Sequence, residues 1–392
     1  MPNRRLYWST EADTRNLAVM QCGLTLNRFE ALVRSLHFVN NFDSKKTDRI
    51  FKIRNIFDHF NKKFLNLAQP LPMYWAIDEA MEPYYRRHGL KQYIRGKPVR
   101  FGYKFWCLCS CEGYLMKFKL YEGRDTGYSK GLYVGESVVK ELALGTVPIN
   151  SHGYVDNYFT TIPLLDMFSR ENIFLTGTIR KDRIKNAPLI DIKRKDKGYT
   201  EAAKETKTNI VLCHWKDNND VIVATNTSKD ENIEMNTCRR YCRKISTYVN
   251  IPQPKIINDY NKCMGGVDLF DQFRGKYRTC FRKRVWYYPL FQFILNATVS
   301  NGWILYRKIH PQIRQLNFLR EIVNALLKPR NNPKKNIPLH VRDSERYDKI
   351  DHMIVMGDTQ RRCGVCKKNV KPKCAKCDVA LHVQCFNIYH TM

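Results

Sequence analysis

The chain has 392 residues, enough for one large core or two to three smaller ones, and 43% of them are hydrophobic, as in ordinary globular proteins. Its 67 Lys and Arg against 37 Asp and Glu leave a formal charge of +30, more than solubility requires, so a polyanion is the expected partner. No run of about 18 uninterrupted apolar residues is present, which favours nucleic acid over membrane, and Met1-Pro2-Asn3-Arg4-Arg5 lacks a secretory h-region, so the 14 cysteines are expected in a reducing, intracellular setting.

Residues 1 to about 73 read as helical. Thr25 can cap a helix with Phe29, Leu32, Val33 and Leu36 on its apolar side, and a second helix follows through Ile50, Ile53, Phe57, Phe60 and Phe64. The opposite face of that second helix carries Lys45, Lys46, Arg49, Lys52, Arg54, Lys62 and Lys63, which reads equally as a solvated face or as a phosphate-tracking surface.

From Met73 the pattern turns to strands. Met73 to Asp78 reads as a short buried strand and Phe101 to Tyr121 as a hairpin turning at Cys111-Glu112-Gly113. Cys107, Cys109 and Cys111 alternate at period two and are expected in the core, because ligands from one strand rarely complete a metal tetrahedron. Between these strands, Arg86, Arg87, Lys91, Arg95, Lys97 and Arg100 interleave with tyrosines, the composition of a track for a phosphate backbone. An amphipathic helix over Ser129 to Leu144 leads to a strand ending at Asp156, then to a helix over Pro163 to Phe168 and a strand over Ile173 to Arg180. This is the order of a mixed α/β, RNase H-like sheet, in which the first and fourth strands lie side by side and bring Asp78 next to Asp156.

The more polar segment 184–254 reads as an insertion. After it, Gly265-Gly266 opens a helix on which Val267, Phe270 and Phe273 face a core while Asp268 and Asp271 share another face. A long aromatic helix spans about Val285 to Ile309, interrupted for membrane purposes by Gln292, Asn296, Ser300 and Asn301, and a shorter one spans Leu316 to Leu327. Lys328 to Asn336 reads as a linker. The expected domains are thus 1–73, helical; 74–183 with 255–310, the catalytic core; 184–254, the insertion; 311–358, a helix and basic linker; and 359–392, a Cys-rich module.

In that module Cys363-x2-Cys366 and Cys374-x2-Cys377 are followed by His382, Cys385 and His390. Two such knuckles are zinc-ligand spacing, and reduced bystander cysteines account for it less well. Seven ligands suffice for one Zn2+, and two interleaved ions would need an eighth. Asp78, Asp156, Asp268 and Asp271, each within apolar sequence where an unpaired charge is costly, are the candidate catalytic acids. Carboxylates from separate elements suit a pair of Mg2+ ions acting on a phosphodiester.

Asp78-Glu79, Gly153-Tyr154-Val155-Asp156-Asn157-Tyr158-Phe159, Gly177-Thr178-Ile179-Arg180, Asp259-Tyr260-Asn261 and Met264-Gly265-Gly266-Val267-Asp268 closely resemble the piggyBac transposase family. The resemblance runs from about Leu26 to His390 and includes Arg282-Lys283-Arg284. It implies an RNase H-like DDD transposase with Asp78, Asp156 and Asp268 as Mg2+ ligands, Asp271 as an additional acid and Arg282, Lys283 and Arg284 on DNA. It further implies a cross-brace zinc module that reads transposon ends, hairpin chemistry at TTAA, a homodimer on double-stranded DNA in the nucleus, and no small-molecule substrate. The chain starts close to the helical region without a long acidic extension, which implies different regulation or import, or a truncated reading frame. His382 stands where many family members carry cysteine. The rival expectation is a domesticated DNA-binding protein that no longer cuts.

Overall fold

The computed structural model describes residues 4–9, 16, 19, 22–40, 42, 48–123, 128, 131–227, 233–242, 246–279, 285–327 and 346–391. The chain separates into two compact units, 1–327 and 328–392. The expected linker at 328–336 lies outside the described residues.

In the first unit α1 (Leu26–Ser35) starts where Thr25 Oγ1 accepts the Arg28 N–H at 3.3 Å. α2 (Phe51–Leu67) buries Ile53, Phe57 and Phe64. Its basic face is not uniformly open to solvent, because Arg54 is paired with Asp48 at 2.6 Å and with Glu122 at 3.1 Å.

The centre is a nine-stranded sheet. Its first half comprises β1 (Tyr74–Pro83), the short β2 (Gln92–Tyr93), β3 (Phe101–Ser110), β4 (Leu115–Leu120), β5 (His152–Val155) and β6 (Phe174–Thr178). β1 runs longer than the expected six residues. β5 pairs in parallel with β1 on one side and β6 on the other, while β3 pairs antiparallel with β1 and β4 with β3. The small β2 aside, the first and fourth strands are neighbours, as the element order required. β3 ends at Ser110, so Cys107 and Cys109 lie in the core as expected, whereas Cys111 falls in the turn and is half-buried.

α3 (Val134–Ala143) and α4 (Ile162–Arg170) cover one sheet face, where Val138, Leu142, Leu164, Leu165 and Phe168 pack on Trp75, Ile77, Trp106 and Leu175. The other face meets α2, α6 (Gly266–Lys276) and α7 (Tyr287–Arg307), with Phe57, Phe270, Leu290 and Phe293 on Phe105 and Phe118. Phe105 and Phe293 stack with centroids 3.8 Å apart. Of the polar residues that interrupt α7, Asn296, Ser300 and Asn301 serve backbone: Asn301 Nδ2 donates to Leu115 O at 2.8 Å, and its Oδ1 accepts Leu115 N–H at 2.9 Å. No helix among the described residues is long and apolar enough to cross a membrane.

Segment 184–254 does not fold wholly apart from the core. β7 (Thr200–Lys204), β8 (Val211–Lys216) and β9 (Asp220–Thr225) extend the central sheet, because β9 pairs antiparallel with β6. Only β10 (Met235–Cys242) and β11 (Thr247–Pro254) form a separate ribbon. α5 (Lys255–Cys263) follows, and α8 (Gln315–Leu327) closes the unit. The second unit contains β12 (Ile354–Arg362), β13 (Asn369–Cys374) and α9 (Val383–His390).

Candidate active site and metal-binding module

Asp78 and Asp156 owe their proximity to strand register. Ile77 lies opposite Val155 on the parallel β1–β5 pair, so the next residue on each strand emerges at the same level. α6 packs against β1 and β3 and carries Asp268 in its first turn. Glycine is required at its start: a Cβ on Gly266 would sit 2.5 Å from the Ser110 carbonyl oxygen. With Val267 and Phe270 fully buried, Asp268 is left on the exposed side.

Burial pushes the Asp78 carboxyl up to about 8, with the neighbouring Glu79 adding to the effect. Burial acts on Glu79 in the same sense, but its hydrogen bond with Asp78 and the charges of Lys104 and Lys97 outweigh it and hold Glu79 low. Burial also raises Asp156, against the Tyr158 N–H that Oδ1 accepts at 2.8 Å. Lys97 Nζ lies 3.2 Å from Glu79 Oε1 and feels the charges of Asp78, Glu79 and Asp268 together, enough to raise it despite burial. Lys104, lowered by burial, lies 3.8 Å over the Trp106 ring and within the field of Glu79, Asp78 and Asp156. Lys97, expected on DNA, faces these acids. Lys104 was not anticipated, although a lysine inside the apolar run Phe101 to Cys109 was the available signal.

In the second unit the structure offers an eighth candidate ligand. His352, Cys374, Cys377 and His390 form one set and Cys363, Cys366, His382 and Cys385 another, each with ligand atoms within 4.8 Å of one another. His352 turns Nδ1 toward Cys374 Sγ at 3.4 Å and Cys377 Sγ at 3.5 Å, and its Nε2 meets Asp348 Oδ1 at 3.0 Å. His390 Nδ1 approaches the Arg346 carbonyl at 2.9 Å, leaving Nε2 buried without a hydrogen-bond partner. Such an orphaned nitrogen, beside two thiols and with the ring oriented from behind, fits a metal ligand. In the other set Cys363 falls to about 6: burial opposes ionisation, but N–H donors at Cys366, His382 and Val365 outweigh it. His352 adds an eighth candidate to the seven read from spacing, which did not include it because it precedes the first knuckle and belongs to no motif.

The sequence profile described as Transposase IS4 matches residues 1–303. Human PiggyBac transposable element-derived protein 3 is 36% identical over 403 residues, covering 100% of this chain and 67% of its own length. The chain belongs to the piggyBac transposase family. Human PiggyBac transposable element-derived protein 2 is 29% identical, covering 99% of this chain and 67% of its own length. The human chimeric ERCC6-PGBD3 protein is 36% identical over all of this chain but 38% of its own length. A cryo-EM structure of piggyBac transposase in a synaptic complex with hairpin DNA superposes with a TM-score of 0.66 at 20% identity, over 94% of this chain and 81% of that one.

Within this piggyBac-family fold, Asp271 is held by a structural cation. Its Oδ1 accepts Arg274 Nη2 at 2.8 Å, and Arg274, itself buried, also binds Glu82 and the Met81 carbonyl at 3.0 Å. Glu82, fully buried, takes Arg278 as its second partner. Arg86, Arg87, Arg95 and Arg100 are exposed, and Lys91 is half-buried with Nζ 5.9 Å from the Phe101 ring centroid. Arg282, Lys283 and Arg284 lie outside the described residues.

Proposed function

We propose that the chain is a metal-dependent DNA transposase that cleaves and joins DNA at TTAA sites, with Asp78, Asp156 and Asp268 as its Mg2+ ligands. The observation that carries this reading is the register pairing Ile77 with Val155, which sets two half-buried carboxylates at the same level on neighbouring strands with helix α6 packed on β1. Burial holds Asp78 and Asp156 above the usual carboxylate range, and an oxygen-only donor set suits a hard divalent cation. When bound, a Mg2+ pair supplies activation of the attacking oxygen and charge stabilisation at the leaving oxygen. The chain contributes the remainder: the acids fix the cations, Arg86, Arg87, Arg95 and Arg100 align the phosphate backbone, and Asp271 orients α6 through Arg274.

In this reading 74–183 and 255–310 form the RNase H-like catalytic core, 184–254 the insertion, 1–73 the DNA-binding and dimerisation region, and 359–392 with His352 a module holding two Zn2+ ions at transposon ends. The protein acts in the nucleus as a homodimer on two DNA ends. A non-cutting, domesticated DNA-binding protein is the second reading. It is favoured by Lys97, whose ammonium gives the acids a built-in cation, and by the relatives' description as transposable element-derived.

The test is cleavage by the purified protein, in Mg2+, of the DNA flanking its own gene. The parent is expected to give hairpin ends at TTAA, and Asp156→Asn to bind the DNA with about the parent's affinity and cut none. Binding without cleavage by both supports the domesticated reading, and normal cutting by the variant removes Asp156 from the site.

A further inference from the structure

The β10–β11 ribbon has two faces. Arg240 lies opposite Val249 and Cys238 opposite Ile251, and this side turns inward: Ile251 packs with Trp215, Arg240 meets Asp217 at 3.1 Å, and Trp215 Nε1 donates to the Pro252 carbonyl at 2.9 Å. On the outer side Tyr241 lies opposite Tyr248, their rings edge to face at 5.5 Å, and the Arg239 guanidinium lies 5.2 Å over the Tyr248 ring. Tyr241 is 50% exposed and Tyr248 60%, so this aromatic cluster contributes little to the core. Arg239 has no acidic partner among the described residues.

We propose that this outer face is a DNA contact of its own, with Arg239 on a backbone phosphate and the Tyr241–Tyr248 pair stacked on unpaired bases. The proposal rests on the DNA reading above. Charge complementarity selects an anion for a ribbon anchored on one side and presenting Arg239 on the other, in a chain of formal charge +30. The aromatic pair narrows it further: base faces are closed off inside a duplex and open in single-stranded DNA, where stacking on exposed rings is sequence-tolerant. A two-stranded ribbon is also slim enough to follow a strand into a groove. DNA with an unpaired stretch is therefore the ligand that uses Arg239, Tyr241 and Tyr248 together.

Fluorescence anisotropy of the full chain, with a blunt duplex and with the same duplex bearing a short single-stranded overhang, tests this over a range of salt concentrations. Tyr241→Ala/Tyr248→Ala is expected to weaken overhang binding about tenfold while leaving the blunt duplex nearly unchanged. Tyr241→Phe/Tyr248→Phe, which keeps the rings, should bind both as the parent does. Arg239→Gln should reduce the slope of log affinity against log salt by about one. The proposal is overturned if the alanine pair holds the overhang as well as the parent, which would make the face a surface for another partner. Equal loss on both DNAs overturns it too, by assigning the tyrosines a structural role. A parent that binds neither DNA overturns the DNA reading with it.

Discussion

Glu82 and Arg274 are buried charges that neutralise each other, and removing either leaves the other with a single, less buried partner, Arg278 for Glu82 and Asp271 for Arg274. Arg274→Met is expected to cost about 3–5 kcal/mol in urea unfolding, since it leaves Glu82 with Arg278 alone. An unchanged midpoint would mean that Glu82 is neutral in the native state. This pair was not legible in the sequence, because its members lie 192 residues apart and nothing in a linear pattern matches one buried charge with another. The candidate acids Asp78, Asp156 and Asp268 were singled out for the opposite reason: each is an acid inside an apolar run, a local anomaly that needs no knowledge of its partners. His352 has no such local mark. His352→Ala should lower the metal bound per chain, measured by elemental analysis, below the parent's content, and an unchanged content would exclude it as a ligand.

At the level of elements, alternation and helical periodicity identified most of the strands and helices, and the order of elements identified the β1–β5 neighbourhood. They could not show that β9 would dock on β6, because an edge left open by one strand can be filled by any later strand of suitable polarity. The junction is reinforced by charge. Lys181 just beyond β6 donates to Asp220 at the start of β9 at 2.5 Å, and that hydrogen bond, helped by His214, holds the Asp220 carboxyl down at about 2. A depressed carboxyl stabilises the fold above the ordinary Asp value of about 3.9 and loses that contribution as pH falls toward its native value. The melting temperature of the parent should therefore drop more steeply than that of Asp220→Asn between about pH 4 and pH 2. Parallel curves would show that the ion pair does not hold β9 to β6.

For the whole molecule, the formal charge of +30 sets the long-range field, and recognition has to come from the few places where shape and chemistry are fixed. The C-terminal unit is one of these, and its two ligand sets alternate along the chain: His352, then Cys363 and Cys366, then Cys374 and Cys377, then His382 and Cys385, then His390. With both sets filled, neither ion would close a loop of its own. Whichever bound first would shorten the segments that the second must bring together, so the second would meet a chain whose closure entropy had already been removed. Loading is therefore expected to be cooperative, passing from empty to doubly filled with few chains holding one ion. The same coupling would run in reverse, so that an injury at His352 would loosen an ion which that histidine never touches.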